Sequence, residues 1–328
     1  WVWQQYDHMV MSGCTVEPGS DAGVVHLSIA GIDKRLAIAN DCNNRFCYLH
    51  PFKGAQIAFV ECMRNLACSG AKALAVTDNL NFGNPNKPEA YFMLQECVKG
   101  LAEACEFFDV PVVGGNVSLY NENENGAIDP TPVISMVGLI DEADHVTTSF
   151  FQKAGLDIIL LGELPYELGG SYFLQTQHKL KEGSVPEVDL KEESKLQELL
   201  LSEIKKGRIL SAHDLAEGGL LVALVEMLFC DQHLGAELSF ENFGPSGRLD
   251  ALLFGESQGR VLAAVDPSDL NALNSSAKEI GVPIQKIGQS IECDDLVLQI
   301  NSEQIFHTKV SSLQKIWEDA IPSRMHTI

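Results

Sequence analysis

Apolar positions recur along this chain in two rhythms, alternating and helical, and the switches between them outline its organisation. Residues 24–29 and 36–39 are short β-rich runs on either side of Gly31-Ile32-Asp33, which predicts a hairpin. Residues 54–69 place Phe59, Met63 and Leu66 on one face and stop at Gly70, which predicts a core helix closed by a glycine. The stretch AVTDNLNFGNPNKPE, residues 75–89, then reads as strand, stiff polar loop and helix start. Asp78 and Asn79 stand where the strand should stop, Gly83 supplies a hinge, and Pro85 and Pro88 fix their own φ. Val98, Leu101, Cys105 and Phe108 continue with helical period. In open α/β sheets the strand-to-helix edge is where ligands sit. The same letters also make an ordinary well-formed turn.

One strand later comes VPVVGGNVSLYNENENG, residues 110–126. Val110, Val112 and Val113 are β-branched and predict a buried strand, which Gly114 and Gly115 end while letting another group approach the backbone. Asn116 and Ser118 follow at alternate positions, so their oxygens project to one side; such oxygens suit Mg²⁺ and phosphate. Residues 132–140 supply a further strand, and the polar segment 141–153 is the expected linker, giving domains at 1–148 and 149–328.

Beyond the linker the pattern restarts with an apolar strand at 157–161. GELPYELGGSYF follows, where Gly169-Gly170-Ser171 predicts a helix start able to hold an anion, or simply a helix start. Residues 191–206 read as a solvated amphipathic helix. In SAHDLAEGGL, Asp214 and Glu217 have capping-box spacing, and His213 reads as a structural histidine rather than a base. FGESQGR, residues 254–260, is a polar loop before a strand at 261–265, and 295–300 and 310–317 read as a last strand and helix.

Charge and cysteines narrow the function classes. At 328 residues the chain has material for two cores, and its net charge of −22 disfavours nucleic acid and anionic membrane as partners. A phosphorylated ligand must therefore be caught locally, by amides, a metal and a few basic groups. Nine cysteines without metal-ligand spacing predict free thiols in a reducing cytoplasm. The longest apolar stretch, 220–230, is interrupted by Glu226 and too short for a bilayer. Trp1 in place of Met suggests a piece of a longer protein.

TDNLNFGNPNKPE followed by GGNVSLYNE closely resembles the second half of the synthetase subunits of phosphoribosylformylglycinamidine synthases, the formylglycinamide ribonucleotide amidotransferases. The resemblance extends through QQYDHMV, EPGSDAGVV, DCNNRF, MRNLACSGA, TPVISMVGLI, SAHDLAEGGL and FGESQGR. It implies an α/β plus α+β fold, one two-domain half of an aminoimidazole ribonucleotide synthetase-like, ATP-binding pseudo-dimer. The implied reaction is an ATP-dependent carbon–nitrogen ligation in purine biosynthesis. ATP phosphorylates the formamide oxygen of formylglycinamide ribonucleotide, and glutamine-derived ammonia displaces the phosphate. By the same resemblance Asp78 and Gly115 contact ATP, Asn116 binds Mg²⁺ and Ser118 contacts substrate. No catalytic residue is implied, because DCNNRF stands where the first half has its histidine loop and Arg64 is followed by Asn65 rather than a metal carboxylate. The implied partners are the N-terminal half, a glutaminase subunit and a small bridging subunit, with a homodimer if this half is isolated. A stand-alone kinase-like dimer and a noncatalytic nucleotide-binding scaffold are the competing readings.

Overall fold

The computed structural model describes residues 1–164, 166–230, 232–241 and 247–325. Its first sheet begins with β1 (Cys14–Val16), β2 (Gly23–Ile29) and β3 (Ile32–Asp41) and continues with β4 (Lys72–Asn81) and β5 (Val112–Ser118). A two-residue ribbon, β6 (Glu122–Asn123) with β7 (Gly126–Ala127), precedes its last strand, β8 (Thr131–Ile140). The order is β1-β2-β3-β8-β4-β5, antiparallel except for the β4–β5 pair. The expected hairpin is present, but its turn is Ala30-Gly31, since Ile32 and Asp33 already pair with Ile29 and Ser28. Both turn residues have positive φ, the geometry whose twist matches a two-residue hairpin.

Between these strands lie α1 (Asn44–Leu49), α2 (Pro51–Cys68) and α3 (Pro88–Phe108). α2 starts at Pro51, whose missing N–H costs nothing there, and His50 Nδ1 accepts from the Lys53 amide. Gly70 stops it at φ +86°, where a Cβ would also lie 2.0 Å from the His145 carbonyl oxygen. Phe59, Cys62 and Leu66 of α2 pack with Ala37, Ala39, Ile134 and Met136 to form the first core. The other face of the sheet is open. Ile38, between buried Ala37 and Ala39, is exposed, as are Val25, Leu74 and Val112.

The second sheet contains β9 (Asp157–Leu161), β10 (Ile209–Asp214), β11 (Gly235–Phe240), β12 (Val261–Val265), β13 (Ile284–Ile291), β14 (Asp295–Ile300) and β15 (Glu303–Lys309). Their order is β10-β12-β9-β13-β11-β14-β15. β9 and β12 are apolar or small at nearly every position because both faces are covered. α4 (Leu190–Lys205) and α7 (Leu270–Ile280) cover one face; α5 (Gly219–Met227), α6 (Leu249–Phe254) and α8 (Val310–Asp319) cover the other, and α9 (Pro322–Met325) trails.

The 141–153 segment packs against the fold: Thr147, Ser149 and Phe151 are buried, and the Thr148 carbonyl accepts from the Ala212 amide. Other expectations are corrected. Gly169-Gly170 opens no α-helix; it precedes a π-helical turn, Leu174–His178, and of the GELPYELGGSYF stretch Pro165 lies outside the described residues. Asp214 is no cap, since α5 starts at Gly219 behind Gly218. An edge strand, β15, stands between the two C-terminal elements that were expected. All nine cysteines are free thiols.

Candidate ligand-binding site

The four candidate residues lie side by side on β4 and β5, in strands rather than in loops. β4 runs on through Asp78 and Asn79 to Asn81, and β5 runs straight through Gly114 and Gly115 to Ser118. Parallel register sets Asp78 against Gly115, Asn79 against Asn116 and Asn81 against Ser118. β5 is also not the buried strand that its valines suggest. It is the sheet edge, with Val112 and Val113 more than half exposed.

Strand alternation divides the four residues between the two faces of the sheet. On one face Asp78 fits against Gly115 so closely that a Cβ there would lie 2.5 Å from Asp78 Oδ1. The glycine makes room for the carboxylate, whose pKa burial pushes up. On the other face Asn116 Nδ2 donates to Asn79 Oδ1 at 2.9 Å, which leaves the Asn116 carbonyl oxygen as the outward acceptor. Ser118 Oγ lies 3.3 Å from Asn121 Oδ1, and Asn121 Nδ2 also donates to the Phe82 and Ser118 carbonyls. Asn81 Nδ2 bridges the Asn79 and Thr131 carbonyls. Asn79, Asn81 and Asn121 therefore complete a polar edge. The NLN and YNEN letters carried that signal without saying which asparagine meets which.

The loop after β4 is held from outside. Glu122 accepts from Lys87 Nζ at 3.0 Å and from the Asn84 amide at 3.4 Å, contacts that lower its pKa. Gly83 serves packing more than bending, because a Cβ would come 2.8 Å from that of Ala127.

A second polar constellation, unforeseen from the helix pattern, joins the two domains. Arg64 of α2 is fully buried; it donates to Asp214 of β10 at 2.7 Å, to Gln258 Oε1 at 2.8 Å and to Glu193 of α4. Glu61 lies 3.7 Å away on its own helix. Burial pushes up the pKa values of Glu61 and Asp41; the charges of Asp41, Glu217 and Asp214 add to the rise at Glu61, and those of Glu217 and Asp214 to the rise at Asp41, where a hydrogen bond with Glu61 works the other way. Burial also pushes Glu193 and Asp214 up, against the pull of Arg64. His213 lies 3.0 Å from Asp21 and 3.3 Å from Glu226; burial opposes its charge, but these carboxylates prevail and raise it to about 10. That is the structural histidine expected. In the DCNNRF loop Asn43 caps α1 by accepting from the Phe46 amide, and Arg45 pairs with Glu256 at 3.3 Å.

Residues 19–140 match the N-terminal domain, and residues 153–301 the C-terminal domain, of AIR synthase related proteins. The chain belongs to this family. Within it, the chain is 45% identical over 325 residues to the phosphoribosylformylglycinamidine synthase subunit PurL of Caldanaerobacter subterraneus subsp. tengcongensis, covering 99% of this chain and 43% of that subunit. Against the PurL subunit of Alkaliphilus metalliredigens it is 41% identical over 328 residues, with 100% and 44% covered. It thus spans less than half the length of the curated relatives it matches. The fold is that of Thermotoga maritima PurL complexed with FGAR, with a TM-score of 0.76 at 21% identity over 92% of this chain and 49% of that one. Among the described residues no helix is long and apolar enough to cross a membrane.

Proposed function

We propose that this chain is the second half of an ATP-dependent, amidine-forming ligase of purine biosynthesis. The complete enzyme would convert formylglycinamide ribonucleotide, ATP and glutamine-derived ammonia to formylglycinamidine ribonucleotide, ADP and phosphate. The observation that carries this reading is identity above 40% to PurL subunits along the whole chain. The paired β4–β5 edge supports it with groups of the right chemistry. Asp78 accepts from the adenine amino group of ATP, and Gly115, lacking a side chain, makes room for that carboxylate and for close approach of ATP to the backbone. Asn116 offers Mg²⁺ a neutral carbonyl oxygen, a fit supported by the hydrogen bond that commits its amide nitrogen to Asn79. The metal would neutralise phosphate charge during transfer. Ser118 presents its hydroxyl to the ribonucleotide substrate.

The chain's own contribution is binding and orientation, with no general base. At DCNNRF and Arg64, side chains are committed to internal ion pairs, which supports a noncatalytic role for that part of this half. The open apolar face of the first sheet supports docking on the N-terminal half of the same enzyme, or on a second copy when the half is isolated. The glutaminase and the small bridging subunit complete the proposed complex, in the cytoplasm where nine free thiols persist.

The test uses the complete enzyme and measures ATP, Mg²⁺ and ribonucleotide dependence separately. A hydrogen bond to a charged group is worth about 1.5–3 kcal/mol, so Asp78→Ala weakens ATP by roughly ten- to a hundredfold. Asn116→Ala raises the Mg²⁺ requirement and lowers turnover, and Ser118→Ala raises the ribonucleotide KM more than that for ATP. If all three lose activity only in step with their melting temperatures, the edge is structural and the assignment fails.

A further inference from the structure

Glu256 sits in the turn between α6 and β12, 1% exposed, where a bare carboxylate is costly. One of its oxygens accepts the amides of Tyr172 at 2.7 Å and Gly218 at 3.0 Å. The other accepts Arg45 Nη2 at 3.3 Å. The three donors come from three separate segments, and each is fixed independently of Glu256. Arg45 lies 3.5 Å over the Tyr172 ring and donates Nε to the Gly170 carbonyl at 3.0 Å. Tyr172 follows Ser171, whose hydroxyl donates to the Leu168 carbonyl at 2.7 Å. Gly218 holds φ +84° directly before α5.

We infer that Arg45 and the amides of Tyr172 and Gly218 form an anion site specific for small carboxylates, and that the Glu256 side chain is its built-in occupant. Two amides and a guanidinium converging on one buried point form the arrangement that binds an oxyanion, and charge-assisted bonds of this kind are the strong ones. The fold has spent a glutamate on filling it. Arg45 and Tyr172 also line an open cleft of about 550 Å³ with Asn44, Lys179 and the Lys181–Asp129 ion pair, so two of the three donor residues border space that solvent reaches. With Glu256 in place the three donors are saturated, and a free carboxylate takes them only when that side chain is gone.

The experiment is chemical rescue in the intact chain. Glu256→Ala removes the occupant and keeps the donors, and lowers Tm by about 6–12 °C. Sodium formate or acetate then restores at least half of that loss, saturating in the millimolar range, whereas chloride at equal ionic strength does not. The wild-type chain shows no such response. Glu256→Gln, which keeps an acceptor for the two amides and fills the space, loses less and is not rescued. The inference is overturned if formate restores nothing, if chloride works as well, or if inorganic phosphate alone restores stability, which would assign a tetrahedral anion instead. Should Glu256→Ala fail to fold in chloride, refolding yield from urea gives the same answer: recovery in formate supports the site, and no recovery in either salt refutes it.

Discussion

Replacing Arg64 with methionine tests whether the buried ion network is what holds the two domains as one unit. The guanidinium comes from α2 of the first domain, while Glu193, Asp214 and Gln258 belong to the second. Methionine fills much of the volume but removes the cation that Glu193 and Asp214 share through direct ion pairs. Each already has one buried oxygen, Glu193 Oε2 and Asp214 Oδ2, with no hydrogen-bond partner. Breaking a buried pair from one side costs about 3–5 kcal/mol, which corresponds to a fall in Tm of roughly 6–20 °C for domains of this size. Calorimetry should then show more than a shift. Because α2 contacts both α4 and β10, the single transition should split in two, one per domain. Adding Glu193→Gln to Arg64→Met should restore about 1 kcal/mol or more, since one uncompensated charge has gone. A change under about 1 kcal/mol for Arg64→Met, or strict additivity with Glu193→Gln, would refute the reasoning.

The other expectations follow from the same geometry. In the folded chain Glu61 and Asp41 hold their protons more tightly than in the unfolded one, so stability is full below the unfolded carboxylate pKa and declines as pH rises toward the folded value. Glu61→Gln should match wild type near pH 4 and exceed it at pH 8 in urea midpoint; equal pH slopes would count against burial and the neighbouring carboxylates as the cause of the raised Glu61 pKa. Gly115→Ala places a methyl 2.5 Å from Asp78 Oδ1 and should cost about 1–3 kcal/mol, most of it recovered in the double variant with Asp78→Ala. Sedimentation of the isolated chain should show a dimer that Ile38→Glu dissociates, with little change in unfolding free energy because Ile38 is already 45% exposed. A monomer at every concentration would mean that the open sheet face is not self-complementary.

Local rules carried the reading of this chain a long way and stopped where distance in sequence began. The helix at 54–69, the strand at 157–161 and the helix after Glu89 obey periodicity alone, and each appears within a few residues of its expected place. Boundaries failed where pairing overrides composition: Asp78, Gly114 and Gly115 look like strand breakers, yet β8 and β4 supply ladder partners that draw them into strands. Burial failed at Val112 and Val113, though not at Val110 before β5, because valines cannot report that among the described residues no further strand pairs beyond them. The Arg64 network was invisible for a different reason. On α2, Glu61 and Arg64 look like an ordinary surface pair, and only the folding of residues 193, 214 and 258 onto them makes them interior. The Gly-Gly-Ser step gives no helix start, and the amide that meets a carboxylate there is that of Tyr172, one residue beyond it, bonded to Glu256.

The placement of Asp78 and Gly115 on one face of the sheet, and of Asn116 and Ser118 on the other, has a geometric consequence at β5. A molecule touching both pairs must fold over the rim of the sheet like a clip over the edge of a card. The outer N–H and C=O groups of β5 must then stay free of any pairing strand, although a bare rim invites one. Charged gatekeepers at Gly114 and Gly115 would discourage such pairing but would also fill the path over the rim. The vulnerability to mispairing and the access for a ligand are one property of the same seven residues.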